Sequence, residues 1–276
     1  MKRGKTKIIK AIISLMLVIY TFLSIYLIGM TMLNSFKTKS ELINNTMGWP
    51  SKFTLENFRQ VIVEENFMRY LCNSVILVAA SVISLCLIAS MLGYALAHYE
   101  FKGKNFLEGY FLLGLMFPIQ LGILPLFIML TKLHLNNTLW GLVLLYTANL
   151  SFSTLLFTNF FKGLPKSVLE SARIDGAGDF PIYIKIVAPM SKPVISTVAL
   201  ISFVQIWNDF FMPLVFLTKA NTKTLTLAVY SYSANFLANW NKIFAAITIA
   251  LIPIIIIYFV FSEQIVAGLT GGAVKG

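Results

Sequence analysis

One short stretch of this sequence, Glu170 to Phe180, mixes acidic and basic residues and reads ESARIDGAGDF. Four of its eleven residues are charged, whereas only 12% of the whole chain is charged. Acidic and basic side chains at helical spacing offer directional contacts, and the small residues between them permit close approach of another backbone. The stretch therefore suits docking onto another protein. A solvated amphipathic helix that lies on lipid headgroups is the alternative.

Residues around this stretch predict a helix, a break and a second helix. Pro165 is suited to a first helical position, and Gly176 is suited to the left-handed residue that ends a helix. These two positions define a helix of about eleven residues, since the break must follow the last helical turn. Asp179 is placed to cap the next turn.

The predicted helix has two different faces. Leu169, Ala172 and Gly176 share one stripe, and Val168 lies beside it. Glu170 is three residues before Arg173 on another face, at the spacing of an ion pair. We expect the small stripe to be the surface that approaches a partner.

The rest of the chain is strongly apolar. Hydrophobic residues make up 58% of the sequence and the mean hydropathy is +0.80, values that exceed those of soluble domains. A membrane-spanning helix needs about 20 mostly apolar residues. The sequence therefore predicts an all-α membrane protein with one transmembrane domain over residues 1–276 and six spans, at about residues 8–33, 70–98, 106–130, 139–161, 189–217 and 243–262.

Basic residues favour one orientation for these spans. The terminal segments and residues 99–105 and 162–192 hold 13 Lys and Arg, against 9 in residues 34–69, 131–138 and 219–242. By the positive-inside rule, both termini and the charged loop, residues 162–188, face the cytoplasm. The net charge of +11 is explained by this topology, and no basic and aromatic module indicates nucleic-acid binding.

Catalytic and metal chemistry find no support in the sequence. His98 and His134 are predicted at opposite membrane faces, so they do not form a catalytic pair. Cys72 and Cys86 are about 21 Å apart along one predicted helix, too far for a disulfide. The sequence GKT at residues 4–6 lacks the earlier glycine of a nucleotide-binding loop. We expect no enzyme activity and no cofactor or metal in this chain.

Polar residues within predicted spans are candidates for a solute path, because polar groups are costly in lipid and usually face inward. Hydrogen bonding between helices is the alternative for each of them. Pro118 and Pro125 predict a bend in the third span, which either lines the path or serves packing. The candidates are Gln120, Asn149, Ser151, Ser153, Gln205, Asn208 and Asp209.

The charged stretch resembles the EAA loop of permeases from ATP-binding-cassette (ABC) importers. That pattern is Glu-Ala-Ala, three residues, Gly, nine residues and Ile-x-Leu-Pro. This chain has Glu170-Ser171-Ala172, Gly176 and Ile186-Val187-Ala188-Pro189 at the same spacing, with Ser171 and Ala188 as departures. The longer stretch ESARIDGAGDFPIYIKIVAPMSKP, together with WNDFFMPLVFL and the closing VAGLTGGAVKG, is similar to the smaller permease of maltose-type, carbohydrate-uptake importers.

The resemblance implies a type I importer permease fold and a role for each segment. The loop would be a coupling helix that docks on an ATPase subunit through Glu170, Ser171, Ala172, Arg173, Asp175 and Gly176. The tail, with Gly272, Ala273, Val274 and Lys275, would contact the same subunit. The last external loop would approach a solute-binding protein through Tyr230, Tyr232, Phe236 and Trp240; an aromatic belt at the membrane interface is the alternative.

The resemblance also implies partners and a location. A second, different permease, two ATPase subunits that hold ATP and Mg, and an extracellular solute-binding protein would assemble with this chain in the bacterial inner membrane. The solute would be a sugar or oligosaccharide, moved by alternating access. A non-sugar solute such as a glycerol-phosphate compound, polyol or peptide is an alternative, and an ion-coupled secondary transporter is another.

Overall fold

The structure of the chain, a computed structural model, describes the backbone of residues 2–233 and 236–271. Side chains are described for residue 7 and for residues 9–232 and 240–261. Every regular element within these ranges is helical, which confirms the all-α prediction. The α-helices are α1 Lys2–Asn34, α2 Lys39–Asn44, α3 Glu56–Arg59, α4 Phe67–His98, α5 Lys104–Met116, α6 Ile123–Lys132, α7 Leu139–Ala148, α8 Ser151–Lys162, α9 Lys166–Ile174, α10 Asp179–Ile182, α11 Ala188–Met190, α12 Lys192–Asn208, α13 Phe211–Phe216, α14 Leu225–Ser233 and α15 Phe236–Gly271.

Shorter elements complete the described chain. Two π-helices span Gln60–Glu64 and Tyr183–Val187, and two 3-10 helices span Ile119–Gly122 and Ala220–Thr222. Among the described residues, three helices are long and apolar enough to cross a membrane: Ile9–Asn34 of α1, all of α4, and Trp240–Phe261 of α15. Three bent pairs of helices also qualify, and counting each pair as one span gives six.

The bent pairs differ in the cause of their bend. Lys104–Met116 and Ile119–Lys132 meet at 94°, where Pro118 has no N–H to donate to the preceding turn. The predicted bend in this span is therefore present, although α6 continues through Pro125 in its first turn. Leu139–Ala148 and Ser151–Lys162 meet at 46°, and Asp179–Met190 and Lys192–Asn208 meet at 74°.

The single span predicted for residues 189–217 is divided in the structure. The chain breaks first at Ser191, between α11 and α12, and again at Asp209, between α12 and α13. Asp209 has extended backbone angles, so α12 ends at Asn208. The sequence window is mostly apolar, and apolarity alone does not distinguish one helix from three.

The described residues divide into two units. The first lies within Met1–Met68 and Ala228–Ile252, and the second within Arg69–Leu227 and Pro253–Gly276. A buried polar cluster holds the first unit, where Lys37 donates to the carbonyls of Asn45 at 2.8 Å and Gly48 at 2.7 Å. The Asn57 amide donates to the carbonyl of Lys37 at 2.7 Å. These bonds fix the segment between α1 and α3.

The core of the second unit joins α4, α8, α9 and α12 with the segment between α10 and α11. Its buried members are Leu85, Ala89, Tyr94, Phe157, Phe161, Leu169, Ala172, Ile182, Val187, Val194 and Val198. Gly93 permits α4 and α8 to approach closely, since a Cβ at that position would lie 2.6 Å from the Cβ of Phe157. The core therefore lies directly under the charged loop.

Candidate functional site

Helix α9 and its turn form the charged loop that the sequence singled out. The helix covers nine residues, Lys166–Ile174, rather than the eleven expected, because Pro165 is the extended cap residue before it and not its first residue. Gly176 has φ of +78°, as predicted, and the N–H of Ala177 donates to the carbonyl of Ala172 at 3.0 Å. A left-handed residue at this place ends the helix and satisfies its last carbonyls.

The small stripe of α9 faces this chain rather than a partner. Leu169 is 7% exposed and Ala172 is 8% exposed, and both belong to the core cluster with Tyr94 and Phe161. The expectation that this stripe is the docking surface is therefore wrong: burial within the chain leaves the Ala172 side chain unavailable to a partner. The stripe instead anchors α9 to the second unit.

Arg173 pairs across the turn and not along the helix. Its guanidinium lies 3.3 Å from Asp179, so the predicted pair with Glu170 does not form. Asp179 is the first residue of α10, whose cap residue is Gly178, and its carboxylate bridges the turn instead of capping it. Burial and a hydrogen bond to Asp179 raise the pKa of Tyr99 to about 12. The loop is thus braced by its own charges.

The opposite face of α9 is exposed. Glu170, Ser171 and Asp175 are all exposed, and within the described part of the chain no basic side chain forms an ion pair with either carboxylate. Ile174 is 86% exposed beside them, and Phe180 is 64% exposed on the next helix. Sequence reasoning missed both apolar residues, although an isoleucine opposite the buried stripe of a polar helix was a readable signal.

A polar cavity lies in the second unit, between the break after α7 and the break after α12. Its volume is about 210 Å³. Four of the predicted path residues line it: Asn149, Ser153, Gln205 and Asp209. The remaining lining residues are Leu85, Ile119, Tyr146, Phe152, Ser202, Ile206 and Met212.

Three predicted path residues, Gln120, Ser151 and Asn208, do not line this cavity. The amide of Asn208 donates to the carbonyl of Val204 at 2.8 Å along its own helix. Gln120 is exposed, and the neighbouring Ile119 lines the cavity in its place. Hydrogen bonding between helices was the alternative for such residues, whereas the bond of Asn208 lies within its own helix.

Asp209 and Tyr146 are joined by a hydrogen bond in the wall of the cavity. The Tyr146 hydroxyl donates to Asp209 Oδ2 at 2.8 Å. Asp209 Oδ1 accepts from the N–H groups of Phe211 at 2.8 Å and Met212 at 3.3 Å, at the start of α13. Sequence reasoning missed Tyr146, and no local signal marked it, because its partner is 63 residues away.

The remaining wall of the cavity is neutral. Asn149, Gln205, Ser153 and Ser202 offer amides and hydroxyls that both donate and accept hydrogen bonds. The carboxylate of Asp209 is already held by three donors. Such a surface matches an uncharged solute with many hydroxyl groups better than an ion.

The four aromatic residues predicted to meet a binding protein lie in helices. Tyr230 and Tyr232 belong to α14, and Phe236 and Trp240 belong to the first turns of α15. Tyr230 is 51% exposed, whereas the ring of Tyr232 stacks on buried Phe67 with centroids 6.4 Å apart. The side chain of Phe236 lies outside the described residues, as do the predicted tail residues Gly272, Ala273, Val274 and Lys275.

Ionisable side chains of the described chain pair at scattered places rather than in a cluster. The Glu108 carboxylate pairs with Lys162 at 2.9 Å. No group of three or more His, Cys, Asp or Glu that could hold a metal ion was found among the described residues. The sites of interest are therefore the exposed face of α9 and the polar cavity.

Comparison with known proteins places this arrangement in a family. Residues 89–270 match the family model described as "Binding-protein-dependent transport system inner membrane component". The diacetylchitobiose uptake system permease protein NgcG of Streptomyces coelicolor is 32% identical, over 96% of this chain and 89% of that protein. The arabinooligosaccharides transport system permease protein AraQ of Halalkalibacterium halodurans is 32% identical over 100% of both chains.

A solved structure has the same fold. It is a chain from the crystal structure of a bacterial ABC transporter involved in the import of the acidic polysaccharide alginate, with a TM-score of 0.83 and 21% identity. The match covers 93% of this chain and 96% of that chain. This chain therefore belongs to the family of inner membrane components of binding-protein-dependent transport systems.

Proposed function

We propose that this chain is a permease subunit of an ATP-driven importer of sugar oligomers. The exposed face of α9 carries the proposal, because a short helix anchored by a buried stripe and presenting Glu170, Asp175 and Ile174 is built to transmit force from a partner. Ligand binding or hydrolysis elsewhere can shift a conformational equilibrium only through contacts that differ between the two states. The ATPase subunit is the partner that fits this requirement.

The proposed partner surface follows from the chemistry of that face. Two exposed carboxylates flank an exposed isoleucine, so a complementary cleft has basic groups around an apolar pocket. In the assembly two such ATPase subunits hold ATP and Mg, a second and different permease completes the channel, and a soluble protein delivers the solute outside. The basic N-terminus and the charged loop then lie in the cytoplasm of a bacterial cell.

The sugar class is supported by two observations. The relatives above are named for diacetylchitobiose and arabinooligosaccharides, which are both short sugar polymers. The cavity offers neutral amides and hydroxyls and holds its only lining carboxylate in place. A cavity of about 210 Å³ is smaller than a typical pocket for a drug-sized ligand, so it holds part of an oligomer rather than the whole.

The test is uptake by the assembled importer in vesicles. Labelled oligosaccharides of two to five units, glycerol phosphate and a dipeptide are supplied with the binding protein outside and ATP inside. We expect saturable uptake of an oligosaccharide that requires ATP and the binding protein. Uptake that an ion gradient drives without ATP would contradict the importer, and ATP-driven uptake of the phosphate or peptide alone would contradict the sugar class.

A further inference from the structure

The coupling-loop end of α4 is bonded to the π-helix that leads from the loop towards α12. The hydroxyl oxygens of Ser90 on α4 and Tyr183 on the π-helix are 2.7 Å apart and share a hydrogen bond. Ser90 is 5% exposed, so the bond forms where little water competes for it. A π-helix is wound more loosely than an α-helix and is often found at functional positions.

Tyr94 brings three elements together at this point. It is 6% exposed, and its ring centroid lies 5.4 Å from that of Tyr183 and 6.0 Å from that of Phe161 at the end of α8. Leu169 and Ala172 of α9 belong to the same buried cluster. Tilted and edge-to-face aromatic contacts of this kind are favourable beyond their buried area. The coupling helix, α8 and the π-helix thus share one packed centre.

The π-helix is joined to the cavity by the chain itself. The Ser191 hydroxyl donates to the carbonyl of Val187, and the chain then bends by 74° into α12. Helix α12 has 17 residues and a length of about 25 Å, and it ends at Asn208, directly before Asp209 in the cavity wall. A displacement of the π-helix therefore moves one wall of the cavity, because packed helices shift as rigid elements.

We infer that Tyr183, held by Ser90 and Tyr94, is the positioning residue that passes a displacement of α9 into α12 and so to the cavity. The inference rests on the proposed function, since it describes how a force applied at the coupling helix reaches the solute path. Leu169 and Ala172 attach α9 to the core, and Arg173 pairs with Asp179 across the turn. The Ser90 and Tyr183 bond ties the π-helix that follows to α4 at the same core.

Two single variants test the inference in the assembled importer. Tyr183→Phe keeps the ring on Tyr94 and removes the hydroxyl, and Ser90→Ala removes the other side of the same bond. Solute uptake, ATP hydrolysis and retained ATPase subunit are measured on the same vesicles. We expect solute molecules taken up per ATP to fall about fivefold in each variant, the worth of one hydrogen bond, with retained ATPase subunit unchanged. Tyr110→Phe, an exposed tyrosine on α5, is the matched control and keeps the wild-type ratio.

The double variant and the wild type distinguish a failure of this inference from a failure of the proposed function. The Ser90→Ala, Tyr183→Phe double variant is expected to lose no more uptake per ATP than Ser90→Ala alone, because the bond between Ser90 and Tyr183 is already absent there. The second bond of Ser90, to the carbonyl of Leu87 at 3.0 Å, lies within α4. Three results would each overturn the inference while the wild type remains coupled. Uptake per ATP is unchanged in the single variants, the losses of the two single variants add in the double variant, or uptake and hydrolysis fall in proportion. A wild type that retains no ATPase subunit, or transports without ATP, would contradict the proposed function instead.

Discussion

Leu169→Ala and Ile174→Ala remove similar apolar volume from the two faces of one helix. The structure predicts that the first lowers the free energy of unfolding and that the second weakens binding of the ATPase subunit. Leu169 is 7% exposed in the core cluster, so its truncation leaves a cavity and costs about 2–5 kcal/mol of unfolding free energy. Ile174 is 86% exposed, so its truncation changes that free energy by about 0.5 kcal/mol or less. Thermal unfolding of the purified complex in detergent measures the difference as a lower Tm for Leu169→Ala alone.

Binding of the ATPase subunit should be weakened more by Ile174→Ala than by Leu169→Ala. The substitution removes three carbon groups from a surface that we propose is buried by the partner, at about 0.8 kcal/mol each when buried fully. A loss of about 2 kcal/mol corresponds to a Kd about 30-fold weaker. The assay is titration of ATPase subunits onto vesicles stripped of them, with Leu55→Ala, which is 70% exposed in the first unit, as the control. An unchanged Kd for Ile174→Ala would refute the assignment of this face.

Three further predictions concern other polar contacts. Lys37→Met should lower the Tm by several degrees, because the carbonyls of Asn45 and Gly48 lose the ammonium group of the buried Lys37 as their donor. Lys39→Met, at an exposed lysine, should leave the Tm unchanged. A hydrogen bond from the Ser51 N–H lowers the pKa of Glu41 below its ordinary 4.5. The stability that this carboxylate contributes is therefore present above pH 4.5, and it is lost as the pH falls through the lower pKa of the folded state. Unfolding of Glu41→Gln followed from pH 6 to pH 3 should therefore depend less on pH than that of the wild type, and an equal dependence would contradict the assignment. Tyr146→Phe should raise the KM for solute uptake about tenfold, because Asp209 loses a charge-assisted bond, and an unaltered KM would mean that this contact does not shape the path.

The three long apolar helices, Ile9–Asn34, Phe67–His98 and Trp240–Phe261, were predictable because their length and apolarity are properties of the sequence alone. The bend at Pro118 was predictable for the same reason, since proline lacks the donor that a continuous helix needs. The break between α12 and α13 was not, because Asp209 ends α12 only through its bonds to Phe211, Met212 and Tyr146. Those partners come together in the tertiary structure.

The coupling loop shows the same division between local and tertiary causes. Gly176 was predicted as the turn because few other residues adopt a positive φ at low cost. The partner of Arg173 was predicted wrongly, because Glu170 is in range along the helix but the turn brings Asp179 closer. The facing of the small stripe was also wrong, since a stripe pattern shows that one face is buried but not what buries it.

The account depends most on the claim that α9 and its turn couple the permease to the ATPase subunit. Gly176→Pro tests it directly, because proline fixes φ near −65° where the turn requires +78°. Sugar uptake and solute-stimulated ATP hydrolysis are measured together in vesicles that hold equal amounts of inserted wild-type or variant permease. The account predicts that the variant loses both activities. Uptake and stimulated hydrolysis at wild-type levels would show that α9 is a surface helix without a coupling role.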